Sequence, residues 1–219
     1  MKRKITIIGA GMMGSALAFP AAENGNDVHI VGTCLDDEII DGYIRTHKHE
    51  KFCRPFPDNV QYHYYKDWQK VVEGSDFVIG GVSSFGVDWF LDEILTKLDP
   101  AIPVLSVTKG LRATSDGTLL SYPGYWESEL AKRGINRTIC AIGGPCTSYE
   151  LVFMDPSEVG FCGKDNEGTY LQSGADCYKK CNKCGIKIIN PVNTIKQRIL
   201  WWIWGFLCLG YMMKRTDLL

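Results

Sequence analysis

Short apolar runs alternate with longer amphipathic stretches through the first two thirds of the chain. The runs predict strands at residues 5–8, 28–31, 77–79, 103–107 and 139–142, with weaker candidates at 158–161 and 186–189. The stretches between them have helical spacing at residues 12–24, 66–73, 87–98 and 119–132. Because this alternation is typical of a mostly parallel sheet covered by helices, the pattern predicts a doubly wound α/β fold.

The pattern changes near residue 190, and we expect one domain to span residues 1–190. The remainder, residues 191–219, includes a segment without charged side chains at 199–213, followed by Lys214 and Arg215. This segment is shorter than the roughly 20 apolar residues that a membrane-spanning helix needs. We therefore expect a buried or partner-facing apolar tail, through which the chain could form an oligomer, in preference to a membrane anchor.

Composition narrows the functional classes. The chain has 24 basic and 25 acidic residues and a net charge of −1, so it has no excess of positive charge that would attract nucleic acid. Its first residues lead directly into the first predicted strand, without a signal-peptide pattern. The nine cysteines are scattered and odd in number. We expect reduced thiols and a cytoplasmic location.

A glycine-rich turn, Gly9-Ala10-Gly11-Met12-Met13-Gly14, joins the first predicted strand to the first predicted helix. In this context Gly9 permits a tight turn, Gly11 lets a pyrophosphate approach the backbone, and Gly14 lets helix and strand pack closely. The helix N-terminus adds unpaired N–H groups and a partial positive charge. The turn predicts a Rossmann-type dinucleotide site, although glycines that serve only a tight turn remain the alternative.

The residues after the second predicted strand bear on the choice of dinucleotide. An acidic residue that binds the adenosine ribose is expected about 20 residues after the glycine turn. Gly32-Thr33-Cys34 occupies that position, with Asp36 and Asp37 slightly later and no arginine to receive a ribose phosphate. The sequence therefore favours NAD over NADP.

Four segments share their order and spacing with one known family. They are residues 9–18, Val82-Ser83-Ser84-Phe85, Ser106-Val107-Thr108-Lys109-Gly110-Leu111 and Gly143-Gly144-Pro145-Cys146-Thr147-Ser148-Tyr149-Glu150. Together they resemble the nucleotide-binding half of NAD(P)-dependent glycerol-3-phosphate dehydrogenase, over roughly residues 4–190. The resemblance implies hydride transfer between NAD(H) and glycerol 3-phosphate or dihydroxyacetone phosphate, a small phosphorylated substrate.

The resemblance also implies roles for single residues. On the cofactor side, the backbones of Met12 and Met13 would line the phosphates, Phe85 would pack against the nicotinamide, and Ser148 would lie near the cofactor. Lys109 would lie between cofactor and substrate, with Gly144 and Cys146 in contact with the glycerol phosphate. Cys146 replaces a more usual serine or threonine, which weakens the case for a hydroxyl hydrogen bond there.

Chemistry supports Lys109 independently of the resemblance. A ketone that accepts hydride needs its oxygen polarised, and a phosphorylated triose needs a nearby cation. A lysine just after a strand would project into the crevice where such sheets bind ligands. An ordinary surface lysine in a strand–helix loop is the alternative.

The family's main catalytic lysine lies in an Ala-Leu-Lys-Asn segment of a helical domain, and this sequence contains no such segment. The catalytic base is therefore unknown, and residues 191–219 could be a remnant of that domain. We expect an oxidoreductase of this type with impaired turnover, because proton transfer and shielding from water would both suffer. The alternative is a non-catalytic NAD-binding module whose apolar tail docks on a partner or membrane.

Two groups of residues suggest a metal site, and we favour neither. Cys177, Cys181 and Cys184 have no evident fourth ligand, which a structural zinc site would need. His47, His49 and Cys53 lie in a charged stretch that indicates a solvated surface. We expect no bound metal.

Overall fold

The computed structural model describes residues 2–115, 117–143, 146–153 and 160–162. Nine strands lie in these ranges: β1 Lys4–Ile8, β2 Asp27–Val31, β3 Val60–His63, β4 Phe77–Gly80, β5 Val104–Ser106, β6 Leu111–Ala113, β7 Leu119–Ser121, β8 Ile139–Gly143 and β9 Gly160–Cys162. Seven of them form one sheet in the order β3-β2-β1-β4-β5-β8-β9. Only the β8–β9 pair in this sheet is antiparallel. The doubly wound, mostly parallel α/β fold predicted from the sequence is therefore confirmed.

Six α-helices accompany the sheet in the described ranges: α1 Met12–Glu23, α2 Asp37–Thr46, α3 Trp68–Val72, α4 Val87–Trp89, α5 Tyr122–Lys132 and α6 Ser148–Phe153. Helix α4 continues as a π-helical segment, Phe90–Leu95, and short 3₁₀ turns cover Tyr65–Asp67 and Ser84–Gly86. The predicted helices at residues 12–24, 66–73 and 87–98 are thus present in substance.

The core has two layers because alternate strand residues point to opposite faces of the sheet. On one face, Ile5, Ile7 and Ile30 pack with residues of α1, α2 and α6. On the other, Ile8 and Val31 belong to a cluster that includes Phe90 and Trp126. The chain leaves the sheet edge at β3 and returns beside β1 as β4, so β1 and β4 open a crevice at their carboxyl ends.

The prediction of a helix over residues 119–132 was wrong at its start. Residues 119–121 form β7, which pairs with β6 in a two-stranded antiparallel hairpin. The helix begins at Tyr122, where the Ser121 hydroxyl accepts a hydrogen bond from Gly124 N at 3.4 Å. Leu119 and Leu120 fit a helical pattern because their apolar side chains continue that of the helix that follows.

The stretch after β2 contains structure that the sequence analysis did not predict. Charged residues obscured helix α2, which buries Ile40 and Tyr43 against the core. The solvated surface predicted for His49 was also wrong: the residue is only 4% exposed, and its ring lies 4.4 Å from the Phe52 ring centroid. Aromatic packing, which depends on distant residues, decides this burial.

Several predictions concern residues outside the described ranges. The apolar segment at 199–213, the domain boundary near 190, the strand candidate at 186–189 and Cys177, Cys181 and Cys184 all fall there. No described helix is long and apolar enough to cross a membrane. Among the residues that the structure describes, no group of three or more histidine, cysteine, aspartate or glutamate side chains is arranged to hold a metal ion.

A histidine pair lies on the outer strands of the sheet. His29 of β2 and His63 of β3 approach to 2.9 Å between Nδ1 and Nε2, and their rings stack at 5.1 Å. Burial lowers the pKa of His29, an effect that the Asp27 carboxylate partly opposes. Burial also lowers the pKa of His63, and proximity to His29 lowers it further. Both rings therefore favour the neutral form in the folded protein.

This pair predicts a loss of stability in mild acid. The unfolded chain binds protons near the ordinary histidine pKa of about 6.5, whereas the folded pair resists them. The free energy of unfolding should therefore be highest above that pH and fall as the pH drops through and below it. Urea denaturation between about pH 5 and 8 measures the slope, which the double variant His29→Asn, His63→Asn should flatten. An equal slope in both proteins would contradict this assignment.

Candidate functional site

Four loops meet at the carboxyl ends of β1, β2, β4 and β5 and enclose two adjoining pockets. The first has a volume of about 350 Å³ and is lined by Gly11, Met12, Met13, Gly81, Val82, Ser83, Ser84, Val107, Thr108 and Lys109. The second, of about 320 Å³, is lined by Gly9, Gly11, Thr33, Cys34, Leu35, Asp36, Gly81, Val82, Ser83, Phe85, Gly86 and Trp89. We call them the lysine pocket and the aspartate pocket. Gly11 lies on the wall of both.

Close backbone packing builds the floor of the crevice. Gly9 has a φ of +110°, and a Cβ there would lie 2.8 Å from Gly81 O. A Cβ on Gly14 would collide with Gly9 O, at the point where α1 crosses β1. Gly9 N donates to Val31 O and Gly81 N donates to Ile8 O, both at 2.8 Å. Contacts within the protein therefore require glycine at positions 9 and 14.

Gly11 is different. Its φ of −67° suits any residue, and an ideal Cβ there would meet only Gly81 O, at 4.0 Å. Gly11 is also exposed on the wall shared by the two pockets. The described protein neither strains nor crowds this position, so the missing side chain leaves space that belongs to the crevice.

The N-terminus of α1 faces this space. Gly11 is its N-cap residue, and no described side chain caps the helix there. The first-turn amides of an uncapped helix are hydrogen-bond donors without helical acceptors, and the helix dipole adds a partial positive charge. Met12 and Met13 of this turn lie on the wall of the lysine pocket. The arrangement suits an anion such as a pyrophosphate.

Asp36 connects the loop after β2 to the glycine turn. Its Oδ2 accepts hydrogen bonds from Thr33 N and Thr33 Oγ1, both at 2.8 Å, and from Ala10 N at 3.1 Å. The carboxylate places a negative charge on the wall of the aspartate pocket. None of the described residues that line this pocket is a lysine or an arginine.

A buried threonine fixes the loop that carries Lys109. Thr108 Oγ1 donates to Val82 O at 2.7 Å, and Thr108 N donates to Ser106 Oγ at 3.1 Å. Val107 N donates to Gly80 O at 3.1 Å, so the ends of β4 and β5 are tied together. Lys109 follows directly, exposed and on the wall of the lysine pocket. The crevice therefore has a cation opposite the glycine turn.

The other residues singled out from the sequence lie in different places. Phe85 is 99% exposed on the wall of the aspartate pocket and follows Val82 and Ser83, which line both pockets. Cys146 is 5% exposed within the core beside α1, and its Sγ donates to Thr147 O at 3.4 Å. Ser148 is buried at the start of α6, whereas Gly144 is outside the described residues. The roles that the resemblance implies for these four residues stay predictions.

Sequence reasoning missed three residues that hold the site together: Asp36 as a link between loops, Thr108, and the α2 residue Tyr43. One signal for α2 was available, because acidic residues at 36–38 precede apolar residues at 39, 40 and 43. The bonds from Asp36 to Ala10 and from Thr108 to Val82 each join residues 26 positions apart, so no local pattern reveals them.

Sequence comparisons relate this chain to one family of dehydrogenases. The family model of the N-terminus of NAD-dependent glycerol-3-phosphate dehydrogenase matches residues 4–168. The chain is 32% identical over 158 residues to the NADP⁺-dependent glycerol-3-phosphate dehydrogenase of Archaeoglobus fulgidus, covering 72% of this chain and 45% of that protein. It is 23% identical over 154 residues to the NAD(P)⁺ enzyme of Clostridium botulinum strain Eklund 17B, covering 70% and 44%. The chain thus spans about half the length of these relatives.

Solved structures support the fold. Glycerol-3-phosphate dehydrogenase from Saccharomyces cerevisiae superposes with a TM-score of 0.66 at 18% identity, over 85% of this chain and 54% of that one. The enzyme from Coxiella burnetii gives a TM-score of 0.63 at 21% identity, over 76% and 48%. The family match covers the glycine turn, the aspartate link and the Lys109 loop. The chain therefore belongs to the NAD-dependent glycerol-3-phosphate dehydrogenase family, whose N-terminal domain it matches.

Proposed function

We propose that this chain binds NAD(H) in the crevice between the glycine turn and the β4 and β5 loops. It would present the cofactor for hydride transfer between glycerol 3-phosphate and dihydroxyacetone phosphate. The main support for this proposal is Gly11. It is the one glycine of the turn whose position no contact within the described protein explains. A dinucleotide explains it, because a pyrophosphate at the N-terminus of α1 needs close backbone approach.

Different residues of the crevice would bind different parts of the cofactor and the substrate. The first-turn amides of α1 would bind the pyrophosphate, and the aspartate pocket would receive the adenosine end. The lysine pocket would receive the nicotinamide, which donates or accepts the hydride when the cofactor is bound. Lys109 would hold the phosphorylated substrate and polarise its carbonyl oxygen, while the Thr108–Val82 bond keeps the lysine's loop against β4.

NAD is the proposed cofactor in preference to NADP. A 2′-phosphate in the aspartate pocket would lie near the Asp36 carboxylate, and like charges in a partly desolvated pocket repel. The described lining of that pocket also supplies no cation to compensate. Titrating the chain with NADH and NADPH separately tests this preference.

Substituting the glycines one at a time tests dinucleotide binding. Gly11→Ala should weaken NADH binding by about tenfold or more, because a methyl group would occupy the space reserved for the phosphates. Its urea unfolding curve should match the wild type, since the new Cβ meets only one atom, at 4.0 Å. Tryptophan-to-NADH energy transfer measures the affinity.

Gly14→Ala is the matched control for this experiment. Its Cβ would collide with Gly9 O, so we expect it to destabilise the folded protein. Unchanged NADH affinity in the Gly11→Ala variant would refute the proposed position of the pyrophosphate. Absence of NADH and NADPH binding by the wild-type chain would refute the proposed function.

Substitution of Lys109 tests the substrate assignment. With the chain saturated by NADH, Lys109→Met should weaken binding of dihydroxyacetone phosphate by about tenfold, the order expected when a charged hydrogen bond is lost. Its NADH affinity should change less. Lys97→Met removes a surface lysine paired with Glu93 on the π-helical segment and should change neither affinity. Equal effects of the two substitutions on substrate binding, measured by calorimetry, would contradict the role of Lys109.

Turnover by a polypeptide limited to residues 1–219 should be slow. The resemblance assigns the main catalytic lysine to an Ala-Leu-Lys-Asn segment, which this sequence does not contain. Loss of a positioned general acid–base typically reduces the rate by about 10²–10⁴-fold. Absorbance at the NADH band, followed after addition of dihydroxyacetone phosphate, measures the rate. Oxidation as fast as that of a full-length relative, such as the Archaeoglobus fulgidus enzyme, would overturn this expectation.

A further inference from the structure

Asp36 lies at the N-cap position of α2 but does not cap the helix. Its main-chain oxygen accepts the first helical hydrogen bond, from Ile40 N at 2.9 Å, whereas its side chain makes no capping bond. An aspartate at this position ordinarily accepts a hydrogen bond from a main-chain amide of its own helix and thereby stabilises that helix. Here the carboxylate instead binds Thr33 and the amide of Ala10 in the glycine turn.

A second residue of α2 holds the other side of Ala10. Tyr43 donates its hydroxyl to Ala10 O at 2.8 Å, and Ser15 Oγ donates to the same oxygen at 3.1 Å. The two hydroxyls also lie 2.8 Å apart, and both side chains are buried. Burial raises the pKa of Tyr43, so the phenol keeps the proton with which it donates. Helix α2 therefore binds both the amide and the carbonyl of Ala10.

These bonds fix the direction of the next amide. A trans peptide is planar, and its C=O and N–H point in opposite directions. Since Ala10 O points towards the buried Tyr43 and Ser15 hydroxyls, Gly11 N–H points away from them. Gly11 lies on the wall of both pockets. The bond from Ala10 N to Asp36 orients the preceding peptide in the same way. Gly9 O therefore points towards Gly14, where the contact with α1 is closest.

We infer that Asp36 and Tyr43 are positioning residues, which clamp the peptides flanking Ala10 so that Gly11 N–H faces the cofactor pyrophosphate. This inference deepens the proposed function and rests on it. Helix α2 thereby couples the adenosine end of the crevice to the phosphate turn, because one carboxylate oxygen binds both Thr33 and Ala10. Neither side chain needs to contact the cofactor for this role.

Four proteins test whether Asp36 holds the peptides beside Ala10, an arrangement we call the clamp. They are the full wild-type chain, Asp36→Ala, Asp36→Asn and the control Asp37→Asn. Asp37 is exposed in the first turn of α2, so its substitution changes the same charge at the same helix end without touching the clamp. Asp36→Ala should weaken NADH binding by about tenfold, the order expected for losing hydrogen bonds to a charged group. Asp36→Asn keeps an acceptor oxygen and should stay within about threefold of the wild type. Asp37→Asn should bind as the wild type does.

The ratio of NADPH affinity to NADH affinity distinguishes a positioning role of Asp36 from an effect of its negative charge alone. If Asp36 orients the turn, Asp36→Ala weakens NADH binding, because the pyrophosphate loses its oriented amide. NADPH binding weakens less, because losing the repulsion between Asp36 and the 2′-phosphate offsets part of that effect. If the residue acts only by repelling a 2′-phosphate, Asp36→Ala and Asp36→Asn strengthen NADPH binding equally and leave NADH unchanged. That second result, or wild-type NADH affinity in Asp36→Ala, overturns the inference. A wild-type chain that binds neither dinucleotide refutes the proposed function instead.

Tyr43→Phe provides an independent arm should Asp36→Ala fail to fold. It removes one of the two hydroxyls on Ala10 O and leaves Ser15, so a loss of about threefold in NADH affinity is expected. Tyr62→Phe is its control, because the Tyr62 hydroxyl lies 2.7 Å from His47 Nδ1 and the Tyr62 ring packs on Tyr43. If the two phenylalanine variants bind NADH equally, Tyr43 has no positioning role. Thermal unfolding of each protein confirms that the affinities compare folded chains.

Discussion

Three backbone segments approach one another at the centre of the sheet, and this contact limits what every neighbouring element can do. Gly9, Gly14 and Gly81 lie so close that a Cβ on Gly9 or Gly14 would meet backbone atoms at or below 2.8 Å. Only glycine satisfies such an approach without displacing β1, α1 or β4. The contact lies where the strand order reverses, and it therefore creates the crevice and aims the N-terminus of α1 into it.

Hydrogen bonds between loops convert that packing into a defined site. The carboxylate of Asp36 ties the β2 loop to the glycine turn, and the hydroxyl of Thr108 ties the β5 loop to the end of β4. Thr108 is buried and Asp36 partly so, and lost hydrogen bonds at such groups leave polar atoms unsatisfied. The loops around the crevice are thereby ordered by hydrogen bonds within the protein itself. Such preorganisation reduces the entropic cost of binding.

Membership of the glycerol-3-phosphate dehydrogenase family accounts for the fold. The chain spans about half the length of its relatives, and the described residues bring a glycine turn, an acidic residue and a lysine to one crevice. Cys146, where the resemblance implies a serine or threonine, is buried in the core. A thiol is a weak hydrogen-bond donor and behaves there as a small apolar group.

The sequence by itself determined the alternation of strands and helices, the place of the glycine turn and the lysine after β5. These features are local: strand and helix periodicity, glycine conformation and strand-end position can all be read within a few residues. The β6–β7 hairpin and the burial of His49 were not predicted this way, because both depend on contacts with other segments of the chain. Helix α2 left one local signal, which its charged neighbours obscured. The tertiary structure alone decided that Asp36 and Tyr43 bind Ala10, across 26 and 33 residues. Bonds between residues so far apart depend on how α2 packs on the sheet, which no short stretch of sequence encodes.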